Sequence, residues 1–413
     1  MNNIKISNVL NSLPLIFEKN IGQHDEKVQF ALNKKECTTF FNDNEIILSF
    51  RSNEKIQELK ELENSLILNE EDKKYSKYGI NILRVSFENG NKSPQIIGKN
   101  EFNCRLNYFK GENSLNWKCS IPLYEKLLYK EVYKGIDILY YESEGTIKWE
   151  FQVSSKKSLD KILLNFQGAN NIYLDEEGNI NINIKENILK ILNPRVTQED
   201  GSCEVTGNFE INEEGKVKFC IQNYENEKNL KITLPIVFEK FNSTFVVDRG
   251  NSIAVDENKC IYITGEIGVQ KYPNKKPHKN ILEAKDYSAF LVKIDSSKKG
   301  QSALKYAAYI GGEKNDEGVG IAVDDEENAY IVGSTNSEYE FPITEKSYAS
   351  NYPGGNSTGF LIKIDTSKVG LNSFIYGTYL GGNLYDYAYS VAIDKNKNVY
   401  VCGLTNSSLG FPI

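Results

Sequence analysis

Two stretches of this chain are nearly the same: FLVKIDSSKKG from Phe290 and FLIKIDTSKVG from Phe360. Eight of the eleven positions are identical, and the Val/Ile and Ser/Thr differences keep the side-chain shape. A segment that recurs after 70 residues marks a structural unit that recurs with it. That constraint outweighs anything composition says about the fold.

The repeat extends beyond these segments. Aligned on an Asp, three copies stand out: SIAVDENKCIYITG from Ser252, GIAVDDEENAYIVG from Gly320 and SVAIDKNKNVYVCG from Ser390. A Tyr follows each Asp by six residues and a Gly follows the Tyr by three, giving Asp256 with Gly265, Asp324 with Gly333 and Asp394 with Gly403. LKYAAYIGG and FIYGTYLGG end the first two periods, on the pairs Gly311-Gly312 and Gly381-Gly382.

Each period holds four short runs rich in Val, Ile, Tyr and Phe, separated by Gly, Asn and Asp, the signature of a small four-stranded sheet. The runs IAV and IYI are apolar on successive residues, which predicts strands buried on both faces. Sheets covered on both sides by like sheets are propeller blades. The recurring Ala254, Ala322 and Ala392 predict close packing of an inner strand near an axis. The Gly pairs predict positive φ where the chain passes to the next sheet. Asp394 with Asn396 and Asn398 matches part of a calcium loop, but Gly is missing at its sixth position and Glu at its twelfth. The Asp residues are therefore expected to shape turns, with no metal and no cofactor.

These copies resemble the SBBP bacterial β-propeller repeats. The resemblance is carried by Asp316, Ala322, Val323, Asp324, Tyr330, Gly333, Thr335, Ser337, Phe341 and Pro342, and further by Phe360, Lys363, Tyr379, Gly381 and Gly382. LPLIFEKNIGQHDEKVQF from Leu13, the long segment from Leu106 and KWEFQVSSKKSLDKILLNFQGA from Lys148 are similar to an uncharacterised domain that often precedes such repeats. The resemblance implies a bacterial protein, surface-exposed or secreted, with no assigned reaction. At the domain junction, LPIVFEKFNST has Ser243-Thr244 where the family carries two glycines.

The N-terminal part reads as many short strands with hairpin turns near Gly178 and Gly215, an antiparallel sandwich. ININI from Ile180 alternates strictly, so one of its faces is expected to meet water. The charged segment Asn53–Tyr78 reads as a short amphipathic helix with a mobile insertion.

Chemistry-bearing residues are sparse. There are two histidines, His24 and His278, and no zinc-protease, nucleophile-elbow or phosphate-loop motif. His24 lies in a predicted turn beside Asn20 and Gln23, the N-x-x-Q that matches the family opening. Trp117 and Trp149 are expected in cores. Seven scattered cysteines predict buried free thiols, with Cys203 and Cys220 the one pair that a hairpin could bring together. A net charge of −7 argues against nucleic acid as partner, and the basic run Lys271–Lys279 reads as solvated surface. No stretch is apolar enough to span a membrane. No export signal is visible, so a cytoplasmic location stays open beside the surface or secreted one that the resemblance implies.

The expectation is an all-β chain. Residues 1–235 form a β-rich sandwich-like domain, and residues 236–413 form an incomplete propeller arc of under three four-stranded blades. The units fall near 250–312, 318–382 and, in part, 388–413, with residues 236–241 supplying an outer strand. The arc is expected either to self-associate through its C-terminal half-blade or to be a truncated product of a longer protein. The expected role is a non-catalytic surface or scaffold protein whose propeller loops bind an unknown protein or glycan. The alternative is a carbohydrate-binding or carbohydrate-active protein with its site on the propeller face.

Overall fold

The computed structural model describes residues 15–34, 37–51, 80–143, 146–154, 159–185, 187–198, 204–205, 207–225, 227–240, 249–268 and 287–411. The segment Asn53–Tyr78, the Lys271–Lys279 run with His278, and Cys203 lie outside the described residues. Their regular structure is strand, with short 3₁₀ turns.

The N-terminal part is sandwich-like. One run of antiparallel strands passes from Phe17–Lys19 through Phe30–Asn33, Thr38–Phe41 and Glu45–Arg51 to Ile80–Phe87 and Leu163–Gln167. A second joins Lys118–Tyr133, Ile136–Ser143, Thr146–Val153 and Leu230–Lys240. Phe17, Phe41, Leu83, Tyr129, Tyr140 and Trp149 fill the space between them. Phe41 meets Tyr140 edge-on with ring centroids 5.6 Å apart, a favoured aromatic geometry. The predicted hairpins close at Gly178 and Gly215, both with positive φ. The Asn face of Ile180–Ile184 meets water only in part, since Asn183 is half-buried. Asn181 is buried, because its amide donates to Asp175 Oδ2 at 3.2 Å.

Residues 236–241 were expected to supply an outer propeller strand, and the described ones, 236–240, do not. They continue the strand Leu230–Lys240, which pairs with Thr146–Val153 and then with Asn187–Ile191. Its apolar residues Ile232, Leu234 and Ile236 belong to the N-terminal core, so burial decides where the strand goes.

The arc follows as three successive antiparallel sheets. The first holds Arg249–Val255, Cys260–Gly268, Tyr287–Asp295 and Leu304–Gly311. The second holds Asp316–Val323, Asn328–Thr335, Thr358–Asp365 and Phe374–Leu380. The third holds Asp386–Ile393 and Val399–Thr405. Innermost strands of neighbouring sheets lie against one another. The strand buried on both faces is the second of the middle sheet, Asn328–Thr335. The innermost strands are only partly buried, and Ala392 is exposed, which corrects the expectation for IAV.

Each innermost strand carries a β-bulge, between Gly250 and Ser252, Gly318 and Gly320, and Ala388 and Ser390. Opposite it sits the repeat Gly of the next strand. A Cβ added at Gly265, Gly333 or Gly403 would lie 1.7, 1.8 or 1.9 Å from the carbonyl oxygen of Arg249, Glu317 or Tyr387. The glycines are there because the bulge pushes a carbonyl into the space a side chain would need. The last Gly of the duplicated segment has a different reason. Gly300 and Gly370 take φ of 58° and 67° as they enter a 3₁₀ turn.

An outer sheet edge is a pairing hazard, and the first two sheets resolve it differently. In the second, the connector after Thr335 returns along the outer strand: Thr344 N–H donates to Gly377 O at 3.0 Å and Tyr379 N–H to Ala349 O at 3.1 Å. In the first, the outer strand is covered by the N-terminal domain. Strand Gln95–Lys110 runs parallel to it and pairs Leu106–Lys110 with Ala307–Gly311.

Gly333→Ala is expected to destabilise the protein by about 1–3 kcal/mol through overpacking, read by urea denaturation. A neutral result would remove the bulge account of the repeat glycines.

Candidate functional site

The recurring Asp residues sit at the hairpins between first and second strands. Asp324 Oδ1 accepts the N–H groups of Glu326 and Asn328, and its Oδ2 accepts the Tyr330 hydroxyl at 3.1 Å. Asp256 takes Cys260 N–H and Tyr262 hydroxyl, and Asp394 takes Asn396 N–H, Asn398 N–H and Tyr400 hydroxyl. The six-residue Asp-to-Tyr spacing is therefore a hydrogen bond across one hairpin. Lys259, Glu327 and Lys397 complete these turns with φ of 64° each. The Asn398 side chain, then its backbone N–H, holds Asp394 below the usual carboxylate range. Carboxylates spent in this way leave few lone pairs for a cation. Among the described residues, no three His, Cys, Asp or Glu side chains are grouped to hold a metal.

The Gly-Gly steps build a second lock, one whose role the sequence did not disclose. Gly312 N–H donates to Asp316 Oδ2 at 2.8 Å, and the hydroxyls of Thr335 and Ser337 donate to Oδ1 at 2.5 and 3.1 Å. Gly382 N–H and Ser407 hydroxyl donate to Asp386 Oδ2 at 2.7 and 2.8 Å. Both aspartates are fully buried. None of Gly311, Gly312, Gly381 and Gly382 has positive φ, contrary to expectation. They are glycines because a Cβ at Gly311 or Gly381 would lie 2.3 or 2.8 Å from the Asp carboxylate, and one at Gly312 or Gly382 would strike the neighbouring turn. The signal was in the sequence as Gly-Gly-x₃-Asp with a later Thr-x-Ser.

The N-terminal Asn20-Ile21-Gly22-Gln23 motif is a loop staple. Asn20 Oδ1 accepts from Gly22 and His24 N–H, and its amide donates to the carbonyls of Asp25 and Val28. Gln23 closes the same loop through Ile21 N–H and Lys19 O. This places His24 Nε2 2.5 Å from Glu18 Oε1, while the Tyr108 hydroxyl donates to both Glu18 oxygens at 3.0 and 2.9 Å. All three side chains are buried. Burial and then the Glu18 charge push the Tyr108 hydroxyl well above its usual range. The His24 turn is thus also a buried polar contact, which sequence reasoning missed because Tyr108 lies 90 residues from Glu18.

Glu18 opens onto a cleft of about 810 Å³ between the N-terminal domain and the first sheet. Leu15, Ile16, Leu106 and Leu123 form one wall, and Ile263, Phe290, Val292 and Ile294 the other. A second cavity, of about 680 Å³, lies among loops: Glu112, Glu338, Tyr339, Thr344, Glu345 and Tyr352 line it. Trp149 is core, as expected. Trp117 lies between domains, its ring centroid 4.6 Å from that of Phe374, with Nε1 donating to Gly111 O. Cys104, Cys119, Cys260 and Cys402 are free, and Cys402 is exposed where burial was expected.

The sandwich-like domain and the glycine-keyed sheets mark a propeller-repeat protein. The chain belongs to the family defined by the domain of unknown function DUF7948, which matches residues 17–233. The beta-propeller repeat SBBP matches residues 305–342 and 375–410. Each matched stretch begins on an outer strand and ends past the second strand of the next sheet, so the sequence unit straddles two sheets. Residues 249–304 lie outside the match, yet carry the same bulge and the same Asp–Tyr hairpin. No curated protein matches the chain.

Chelator treatment is expected to leave the melting temperature unchanged, and a drop of several degrees would overturn the turn reading of Asp324 and Asp394. A second expectation concerns pH. Burial pushes the Asp316 carboxyl up to about 7, against its Thr335, Gly312 and Ser337 donors. The folded state then keeps a proton that the unfolded chain releases near pH 4. This contribution is complete below that pH and is lost as pH rises through about 7. Stability should fall between these values by at most about 1.4 kcal/mol per pH unit from this group. Asp316→Asn should flatten that slope in urea titrations, and an unaltered slope would refute the assignment.

Proposed function

We propose that the chain is a non-catalytic scaffold or interaction protein of a bacterial surface, attached or secreted, whose propeller loops bind a protein or glycan. The observation that carries this reading is the loop after Thr335. It is pinned to the outer strand of its sheet by backbone hydrogen bonds, yet presents Tyr339 and Tyr348 two-thirds exposed. A rigid loop with projecting aromatics is suited to recognition. The recurrent carboxylates, by contrast, are occupied by their own turns. Among the described residues no helix is long and apolar enough to cross a membrane.

Panning the immobilised full chain with a random-peptide library tests the reading. The double change Tyr339→Ala and Tyr348→Ala is expected to weaken selected peptides at least about tenfold. Selected peptides that bind both forms equally would count against the loop. Turnover of a polysaccharide, peptide or ester panel would overturn the non-catalytic part.

A second reading, a carbohydrate site, is favoured by Tyr339 and Tyr352 beside Glu112, Glu338 and Glu345 in the loop cavity. Aromatic faces with nearby acceptors suit sugar rings. Saturable calorimetric binding of bacterial polysaccharide fragments, abolished by Tyr352→Ala, would support it; no heat with any fragment would dismiss it.

A further inference from the structure

The first and second sheets of the arc carry the same apolar ridge, and it meets different neighbours. In the second sheet the ridge includes Ile331, Phe360 and Ile362, each 0% exposed. It is closed by the first sheet, whose Ala289, Leu291 and Ile310 share its core. The equivalent residues of the first sheet, 68 or 70 positions earlier, are Ile263, Phe290 and Val292. All three are only half-buried. Here the neighbour is the N-terminal domain, and the two surfaces do not close completely. Leu106, Ile121 and Leu123 pack with Leu304 and Ala307, and the cleft of about 810 Å³ opens beside that contact.

We infer that this cleft is a binding site for a hydrocarbon chain, the acyl chain of a fatty acid or of a lipid. Both walls are aliphatic: Leu15, Ile16 and Leu123 on one side, Ile263, Val292 and Ile294 on the other. The volume lies within the roughly 300–1,000 Å³ of small-molecule sites, which favour domain boundaries. Water between such walls has few hydrogen-bond partners, so an apolar chain displaces it favourably.

The polar lining narrows the ligand further. Glu18 is 3% exposed and already engaged, since the Tyr108 hydroxyl donates to both its oxygens and His24 Nε2 lies 2.5 Å away. It has little capacity left for a cation or a sugar hydroxyl. The other charged lining residues are mixed in sign, Lys34 and Arg249 with Glu142. The Arg249 side chain is more than half exposed and pairs with Glu266 at 3.2 Å. These groups suit a polar head at the mouth, with the chain between the walls. The occupant is thus an amphiphile whose binding free energy resides in its chain.

This inference goes beyond loop binding and does not rest on it, because no residue of the loop after Thr335 lines the cleft. Titration of the full chain with cis-parinaric acid, whose emission rises in apolar surroundings, should give a saturable signal. Saturated fatty acids of increasing length should displace the probe. Each methylene that enters the cleft should tighten binding roughly fourfold, and the gain should stop once the slot is full. Val292→Trp, which fills the slot from a half-buried position, should weaken probe binding at least about tenfold by excluding two or more methylenes. Ile267→Trp supplies a second block should Val292→Trp lose the far-ultraviolet circular dichroism of the parent. Phosphatidylglycerol vesicles separate the two sources. Co-sedimentation of the parent but not of the blocked variant assigns the chain of a membrane lipid. Probe binding without co-sedimentation assigns a free fatty acid, and either result supports the site. No saturable signal, affinity that climbs with chain length without limit, or equal probe binding by parent and folded blocked variants would overturn the proposal.

Discussion

The structure depends on one contact, the parallel pairing of Leu106–Lys110 with Ala307–Gly311. It joins residues about 200 positions apart and continues the sheet of the N-terminal domain into that of the arc. Without it the outer strand of the first sheet would present open N–H and C=O groups, and the ridge of Phe290, Val292 and Tyr309 would lose its cover. The tip of the same hairpin reaches further. Gly111 N–H donates to Glu340 O, and Trp117 packs on Phe374, so the N-terminal domain grips the second sheet as well. A propeller arc held in this way is anchored at its N-terminal end by backbone hydrogen bonds rather than by apolar contact alone.

Within the arc, order comes from two carboxylate locks and one bulge, each repeated. The Asp–Tyr hydrogen bond sets the hairpin at one end of the inner strands. The buried Asp316 and Asp386 clasp the step between sheets at the other. The bulge between them demands Gly265, Gly333 and Gly403. A buried carboxylate is costly unless its acceptors are satisfied, and the Gly N–H, Thr and Ser around Asp316 meet that demand. Such locks specify how one sheet follows the next. They also account for polar residues that recur with the repeat.

How much was legible in advance can be judged residue by residue. The strand runs, the hairpin at Asp324 and the all-β class follow from period, apolar pattern and turn chemistry, which are local. Gly333 was recognisable as a repeat position, but its reason was not, since the carbonyl it accommodates belongs to Glu317, on the neighbouring strand. Asp316 was visible within a family pattern, yet its burial depends on Thr335 and Ser337, some twenty residues away. The glycine pairs were misread as positive-φ turns, because sequence alone does not separate a need for unusual backbone angles from a need for empty space.

What the sequence determined by itself is the repeating sheet: its four strands, its Asp–Tyr hairpin and the glycines that punctuate it. These arise from interactions within a few residues or between adjacent strands, so they recur wherever the letters recur. The tertiary structure alone decided which edges and faces of those sheets are covered. It routed Leu230–Lys240 into the N-terminal core, laid Leu106–Lys110 along the first sheet and left Ile253 open. Those outcomes turn on which distant surfaces compete for the same apolar face, and equivalent residues in the repeat meet different neighbours.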